Sequence, residues 1–284
     1  MSLGGVSEVP WHHDIVALAT RHGKEHQISP ALAAVGLVTR VVAVDTDRFG
    51  TFSGEIQRPG PPDQVVLTKA RAGLEIAGLP RGVASEGTLG PHPDLPMLTC
   101  DRELVGFVDL ELGFTLIEEA LGFETTVASR RAQSGDDLEG FLRQIDFGPQ
   151  GVIVRRADHQ FDPIVKGIVT IEALHSAIKE VANCSADGYA VVETDLRAHL
   201  CPTRQRVIRE AADRLAERLG RRCPSCACPG FGIVAYDIGL ECASYGAPTG
   251  LERATIEGCV RCDLRKEVAA ASLADPSTCP MCNP

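Results

Sequence analysis

The sequence predicts an α/β fold, a mixed sheet with flanking helices, followed by a small cysteine-rich module. Three observations predict it. Apolar or β-branched runs alternate with helical patterns over the first 222 residues, an order that favours a layered sheet with a parallel component. Hydrophobic residues make up 44% and charged residues 23%, the balance of a globular chain rather than a disordered or fibrous one. Eight of the 11 cysteines fall between Cys223 and Cys282.

Each element follows from local pattern. Asp14–Thr20 (DIVALAT) is a short apolar strand, broken by Arg21–Glu25. Ser29-Pro30 is expected to open a helix that runs to Val35, with Ser as cap, Pro in the first turn and Gly36 as its end. Val38–Val44 is β-branched and is expected to be a second strand. Asp45–Pro62 is polar and rich in Gly and Pro, hence a loop. In Val65–Ala77 the residues Val66, Ala70, Leu74 and Ala77 share one helical face, and Gly78 closes the helix. Strands are expected at 104–108, 115–117, 151–155 and 189–192, and helices at 137–145 and 171–181. The strongest helix is Thr203–Leu219, where Ile208, Ala211, Ala212, Leu215 and Leu219 form one apolar face. The composition shifts to Cys, Gly and Pro after Arg221-Arg222, so the boundary is drawn between an α/β domain (1–222) and a cysteine-rich domain (223–284).

Charge and hydropathy narrow the function classes. The net charge of −10 argues against a whole-surface nucleic-acid binder. No apolar run reaches the ~18 residues that a membrane span needs. The first 11 residues lack the cationic start and apolar core of a secretory signal, which implies a cytoplasmic location. Disulfide scaffolds belong mostly to small secreted chains, so an odd number of cysteines in a chain of this size is better explained by metal ligands.

Three CxxC pairs stand in the tail: Cys223/Cys226, Cys259/Cys262 and Cys279/Cys282. Cys228 and Cys242 are single. In a CxxC knuckle two sulfurs reach one ion while backbone N–H groups support them, and two knuckles complete a tetrahedral site. The gaps of 15 residues (Cys226 to Cys242) and 16 residues (Cys262 to Cys279) suit zinc-ribbon loops. The eight thiolates are enough for one or two zinc ions. Closed four-cysteine sites hold a fold together, so the expected role of zinc is structural.

Five polar stretches in the first domain are candidates for chemistry. Thr20, His22 and Lys24 lie in a strand-to-helix turn, where backbone N–H groups and a point charge can converge on a phosphate. A plain solvated turn is the competing explanation. Asp47 and Glu55 lie in an acidic stretch with hydroxyls and glycines, suited to a hard cation such as Mg²⁺, or to a polar hairpin. Lys69 offers a second phosphate contact from a helix, or a solvent-facing charge. Glu86 lies in a Gly/Pro-rich loop after a short strand and is placed to hold metal or act as general base. Asp195, Arg197 and His199 occupy a turn between strand and helix, either as part of the site or as an internal salt-bridge and capping network.

Two resemblances attach to these motifs. The strings ATRHGKE, DTDRFGTFSGEIQR, KARAGLE, ASEGTLGPHPDLP, ETDLRAHLCPTR, CPSCACPGFG and CPMCNP resemble an uncharacterised bacterial family that carries a domain of unknown function and ends in repeated CxxC pairs. This chain departs from that pattern at Cys242-Ala243-Ser244-Tyr245, where a fourth CxxC is expected and Cys228 is the candidate replacement. Over residues 14–110 the order LATRHGKE, acidic stretch, KARAGLE, then an acid-Gly turn is similar to the inosine/xanthosine triphosphate pyrophosphatase superfamily. That similarity implies phosphate contacts from Thr20, Lys24 and Lys69, with Asp47, Glu55 and Glu86 placing metal or water. The acidic segment lies farther from Lys69 than that pattern has it.

The expectation is therefore a Mg²⁺-assisted hydrolase or transferase acting on a phosphorylated small molecule of the nucleotide kind. Its zinc would be structural, and the chain would be free or dimeric. The alternative is a zinc-ribbon module that contacts RNA or a protein partner through its Arg-rich helix, without catalysis.

Overall fold

The computed structural model describes residues 11–21, 23–50, 56–92, 95–158 and 163–283, apart from the side chain of Asp47. It is mixed α/β, as the sequence pattern predicts, with three sheets among the described residues.

The first sheet has the order β2-β1-β3-β4-β5. Its elements are β1 (Asp14–Ala19), α1 (Glu25–Ala34), β2 (Leu37–Val42), α2 (Pro62–Ala77), β3 (Arg81–Pro91), β4 (Thr99–Asp109) and β5 (Phe114–Gly122). β1 runs parallel to both β2 and β3, and β3, β4 and β5 form an antiparallel meander. The alternation of β1 divides the core. Val16 and Leu18 face α1, meeting Ile28 and Leu32, while Ala17 and Ala19 face α2, meeting Val66, Ala70 and Leu74. α2 lies unusually close to the sheet, because a Cβ on Gly82 would stand 2.4 Å from the Ala70 carbonyl oxygen. At the far end of the sheet Arg81 ties the strands together, reaching Asp109 at 2.8 Å, Asp14 at 3.1 Å and Glu111 at 2.6 Å.

The second sheet, β6-β9-β7-β8, is antiparallel throughout. It comprises β6 (Ser129–Ala132), β7 (Val152–Arg156), β8 (Ile164–Ile168) and β9 (Ala190–Thr194), packed with α3 (Glu139–Gln144) and α4 (Ile171–Cys184). Thr170 caps α4, its Oγ1 accepting from the Ala173 N–H at 3.3 Å. This sheet has its own core around Leu174, Ile178 and Val181.

α5 (Pro202–Gly220) then returns to the first sheet. Its apolar stripe, Val207, Ile208, Ala211, Leu215 and Leu219, is buried with α1, β4 and β5. Each fully buried Leu or Ile contributes roughly 1.5–3 kcal/mol. The tail strands β10 (Gly232–Ile238), β11 (Glu252–Gly258) and β12 (Arg265–Ala269) form the third sheet, with β11 central. The tail is anchored, because Cys223, Cys228, Phe231 and Cys259 belong to the same buried cluster as α1 and α5.

Two expectations change. The first helix starts at Glu25 rather than Ser29, and Pro30 lies inside it. A proline past the first turn gives up one helix hydrogen bond, and burial of Ile28, Ala31 and Leu32 on the sheet outweighs that loss. Residues 84–91 are strand rather than loop: β3 pairs with β4 over its whole length, from Arg81↔Asp109 to Pro91↔Thr99. Among the described residues no helix is long and apolar enough to cross a membrane.

Candidate active site and metal centre

β1 lies between β2 and β3, so the chain leaves its carboxyl end by α1 on one face and reaches β3 by α2 on the other. Such a switch in winding opens a crevice at the strand ends, the usual ligand position in open α/β sheets. Here β1 stops pairing at Ala19↔Ala84, while β3 continues to Pro91. From Ser85 onward that edge of β3 faces the turn carrying Thr20 and Lys24. Charged groups reach it from both faces of the sheet.

On the α2 face, buried Lys69 pairs with Glu86. Arg58 Nε lies 2.8 Å from the other Glu86 oxygen. Arg58 also donates to Thr88 Oγ1 at 3.0 Å and to the Gly87 carbonyl at 2.7 Å, using the open strand edge. On the α1 and α5 face, Lys24 Nζ donates to Ser85 Oγ at 2.9 Å. Arg204, 3% exposed, donates from Nε to Glu103 Oε1 at 2.7 Å, with Nη2 on the same oxygen and Nη1 on the Leu196 carbonyl. Its Nε lies 3.6 Å from Asp101 Oδ1. Gly87 sits opposite Glu103 in the ladder. A Cβ there would stand 2.3 Å from Arg204 Nη2 and 2.5 Å from Glu103 Oε1, so only glycine leaves room for this pair.

Both Asp101 carboxylate oxygens and Glu103 Oε2 are buried and receive no hydrogen bond from a donor group among the described residues, while the two carboxyls lie within hydrogen-bond reach of each other if one is protonated. The four cations Lys24, Arg58, Lys69 and Arg204 thus gather with the three carboxylates Glu86, Asp101 and Glu103. Burial pushes the Asp101 carboxyl up to about 7, helped by the Glu103 charge and opposed by Arg204 and Lys24. Burial pulls the Lys24 ammonium down to about 8, with Arg204 and Lys69 adding repulsion and Glu103 and Glu86 opposing it. The set can attract an anion, hold a proton near neutral pH, and offer acidic oxygens to a hard cation.

Asp101 makes stability depend on pH. Between its ordinary value of 3.8 and about 7, the folded chain keeps a proton that the unfolded chain has released. Its contribution therefore falls as pH rises through that window. Asp101→Asn is expected to remove this part of the slope, measured as urea midpoints at about pH 5 and pH 8. An unchanged slope would assign it to another group.

The other sequence-derived candidates divide. Thr20, Lys24, Lys69 and Glu86 lie at this crevice. Thr20 is buried at the end of β1, its N–H bonded to the Val42 carbonyl at 3.2 Å. Glu86 was expected as a base or metal ligand, but it is neutralised by Lys69 and Arg58. Asp195 is fully buried and accepts from the Gly167 N–H and from the Arg197 backbone and guanidinium, the internal network that the turn also allowed. Arg197 is thereby engaged with Asp195, and His199 is exposed. The Leu196 carbonyl joins that turn to the site, through Arg204 Nη1. His22, Glu55 and the Asp47 side chain lie outside the described residues.

Sequence reasoning missed Arg58, Ser85, Asp101, Glu103 and Arg204. The available signal was Asp101 and Glu103 two apart in a strand that continues as LVGFV, which puts both acids on one face.

The tail holds two cysteine groups. Cys223, Cys226, Cys259 and Cys262 form one, and Cys242, Cys279 and Cys282 the other, with all sulfurs of a group within 4.8 Å of one another. The shortest separations are 3.7 Å (Cys223–Cys262), 3.6 Å (Cys226–Cys259) and 3.7 Å (Cys242–Cys282). Zn–S bonds of about 2.3 Å at tetrahedral angles put sulfurs about 3.8 Å apart, so the donors fit zinc. The Arg261 and Cys262 N–H groups donate to Cys259 Sγ at 3.3 and 3.4 Å, the support a metal knuckle needs. The pairing is crossed: the first CxxC pair joins the second, and Cys242, which lies between them in the chain, joins the third. Cys228, counted as a ligand from the sequence, lies outside both groups; its side chain is buried in the core with Phe231.

Fold and site together define an α/β protein with a buried charged cluster at the end of β1 and a cysteine tail with two groups that could hold metal. The chain belongs to the family described as Domain of unknown function (DUF6671), which it matches over residues 69–284. No curated protein matches the sequence.

Proposed function

We propose that the protein is a metal-assisted hydrolase or transferase acting on a phosphorylated small molecule of the nucleotide class. The observation that carries this reading is the excess of cations over ionised carboxylates at the β1 switch point, next to unpartnered Asp101 and Glu103 oxygens. Lys24 and the Thr20 turn bind phosphate oxygens and offset charge that develops in the transition state. Lys69 and Arg58 are held in place by Glu86. Glu103, through its second oxygen, is the residue that would hold Mg²⁺, which supplies Lewis-acid stabilisation of phosphate charge when bound. For hydrolysis, Asp101 takes the proton of the attacking water, whose oxygen bonds to phosphorus as the bond to the leaving oxygen breaks. The resemblance of residues 14–110 to inosine/xanthosine triphosphate pyrophosphatases supports the same chemistry. Residues 223–284 act as a structural zinc domain, and reduced thiol ligands fit a cytoplasmic setting.

The alternative, RNA binding through α5, is disfavoured by the pairing of its arginines. Arg206, Arg214, Arg218 and Arg221 contact Glu124, Glu210, Glu118 and Glu257.

The test is phosphate or pyrophosphate release from a nucleoside triphosphate panel with Mg²⁺. Lys24→Ala is expected to lower the rate about 10²-fold while the melting temperature stays near that of the parent. No release by the parent protein across the panel, or a variant as active as the parent, would overturn the reading.

A further inference from the structure

The two cysteine groups are unequal, and the difference lies at one residue. In the first group Cys259 accepts from the N–H groups two and three residues ahead, and the second of these belongs to a ligand, Cys262. Cys242 repeats this turn. Its sulfur accepts from the Ser244 N–H at 3.4 Å and from the Tyr245 N–H. Tyr245 therefore stands at the backbone position from which a fourth sulfur would point, and its own side chain is 69% exposed. The three remaining sulfurs stay together, with Cys242 and Cys279 buried and Cys282 half-buried.

We propose that Cys242, Cys279 and Cys282 bind a zinc ion with three thiolates and leave its fourth coordination position open to an exogenous neutral donor, either water or an imidazole. A zinc site with three protein ligands and an accessible fourth position exchanges that ligand, whereas a closed four-cysteine site does not. The charge selects the class of donor. Three thiolates already exceed the charge of Zn²⁺, and segments 239–250 and 270–283 add Glu241 and Asp275 with no Lys or Arg. A free anion is disfavoured there, and a neutral nitrogen or oxygen donor is not; a fourth thiolate held by the chain, as in the first group, still binds. Tyr245, three residues after Cys242, and Met281, next to Cys282, are both exposed, the latter to 66%, so the chain beside these ligands faces solvent. This inference concerns the tail alone and does not depend on the chemistry proposed at the β1 crevice.

The experiment is cobalt substitution of the full chain, followed by absorption spectroscopy. Two ions are expected per chain, with thiolate-to-cobalt charge-transfer intensity for seven sulfurs, four at one site and three at the other. Added imidazole should shift the ligand-field bands of one ion only. Tyr245→Cys should raise the intensity to that of eight sulfurs and abolish the imidazole response, which also shows that the variant folds. Tyr245→Phe should keep both the parent spectrum and the response. One ion per chain, an eight-sulfur spectrum in the parent, or bands indifferent to imidazole would overturn the proposal. So would a changed spectrum in Tyr245→Phe, because the phenol would then be the fourth ligand.

Discussion

Replacing Arg204 with methionine is expected to cost about 3–5 kcal/mol, because it leaves buried carboxylates without their cation. Glu103 is fully buried, and its bonded oxygen depends on Arg204 Nε and Nη2. Asp101 receives no hydrogen bond from a donor group among the described residues, and Arg204 and Lys24 are cations that favour its charged form. At a few degrees per kcal/mol, the melting temperature should fall by on the order of 10 °C. The pair itself is a different matter from its breakage. Replacing Glu103 and Arg204 together by methionine removes both charges and is expected to recover most of the loss. Thermal or urea unfolding of the two single variants and the double variant measures this. A single-variant loss under about 1 kcal/mol would mean that the pair is hydrated rather than buried.

The second large effect is expected for Cys259→Ser. It should release the first zinc ion, leaving one ion per chain by metal analysis. It should also lower the melting temperature by on the order of 10 °C, since structural zinc supplies folding free energy. The loss should not stay in the tail. Cys259 shares a buried cluster with α1, α5 and Trp11, the sole tryptophan. Trp11 meets Phe107 edge-on at 5.9 Å and so reports on the first sheet. Its fluorescence should change at a lower denaturant concentration in Cys259→Ser. Cys282→Ser, from the group outside that cluster, should leave the Trp11 transition near that of the parent. Equal transitions in both variants would show that the tail and the first sheet unfold independently.

The course of the chain was legible where periodicity is strong. α2 and α5 begin and end within three residues of their expected limits, because their apolar faces and, for α2, Gly78 mark them; Pro62, assigned to the loop, is the first residue of α2. Local chemistry misled at Ser29-Pro30, a good helix start that tertiary burial overrode. It misled again at Gly87, Gly90 and Pro91, whose loop-like composition belongs to a strand. Gly87 is required by Arg204, more than 100 residues away in the chain, so no local pattern carries it. The site followed the same rule. Thr20, Lys24, Lys69 and Glu86 stand out beside strand ends, and the structure gathers them. Asp101, Glu103 and Arg204 became visible only through the register of β4 on β3 and the return of α5. In the tail the CxxC spacing announced most of the ligands, but spacing is silent on crossing, and Cys228, as buried as the ligands, is set apart only by lying outside both groups.

The crossed pairing has a kinetic consequence. An ion bound to each group would close a ring of chain, one from Cys223 to Cys262 and the other from Cys242 to Cys282, and β11 lies inside both rings. Stripping either ion therefore leaves that central strand clasped by the remaining one. The tail cannot be cut into two self-sufficient modules, and its opening needs two separate dissociation events.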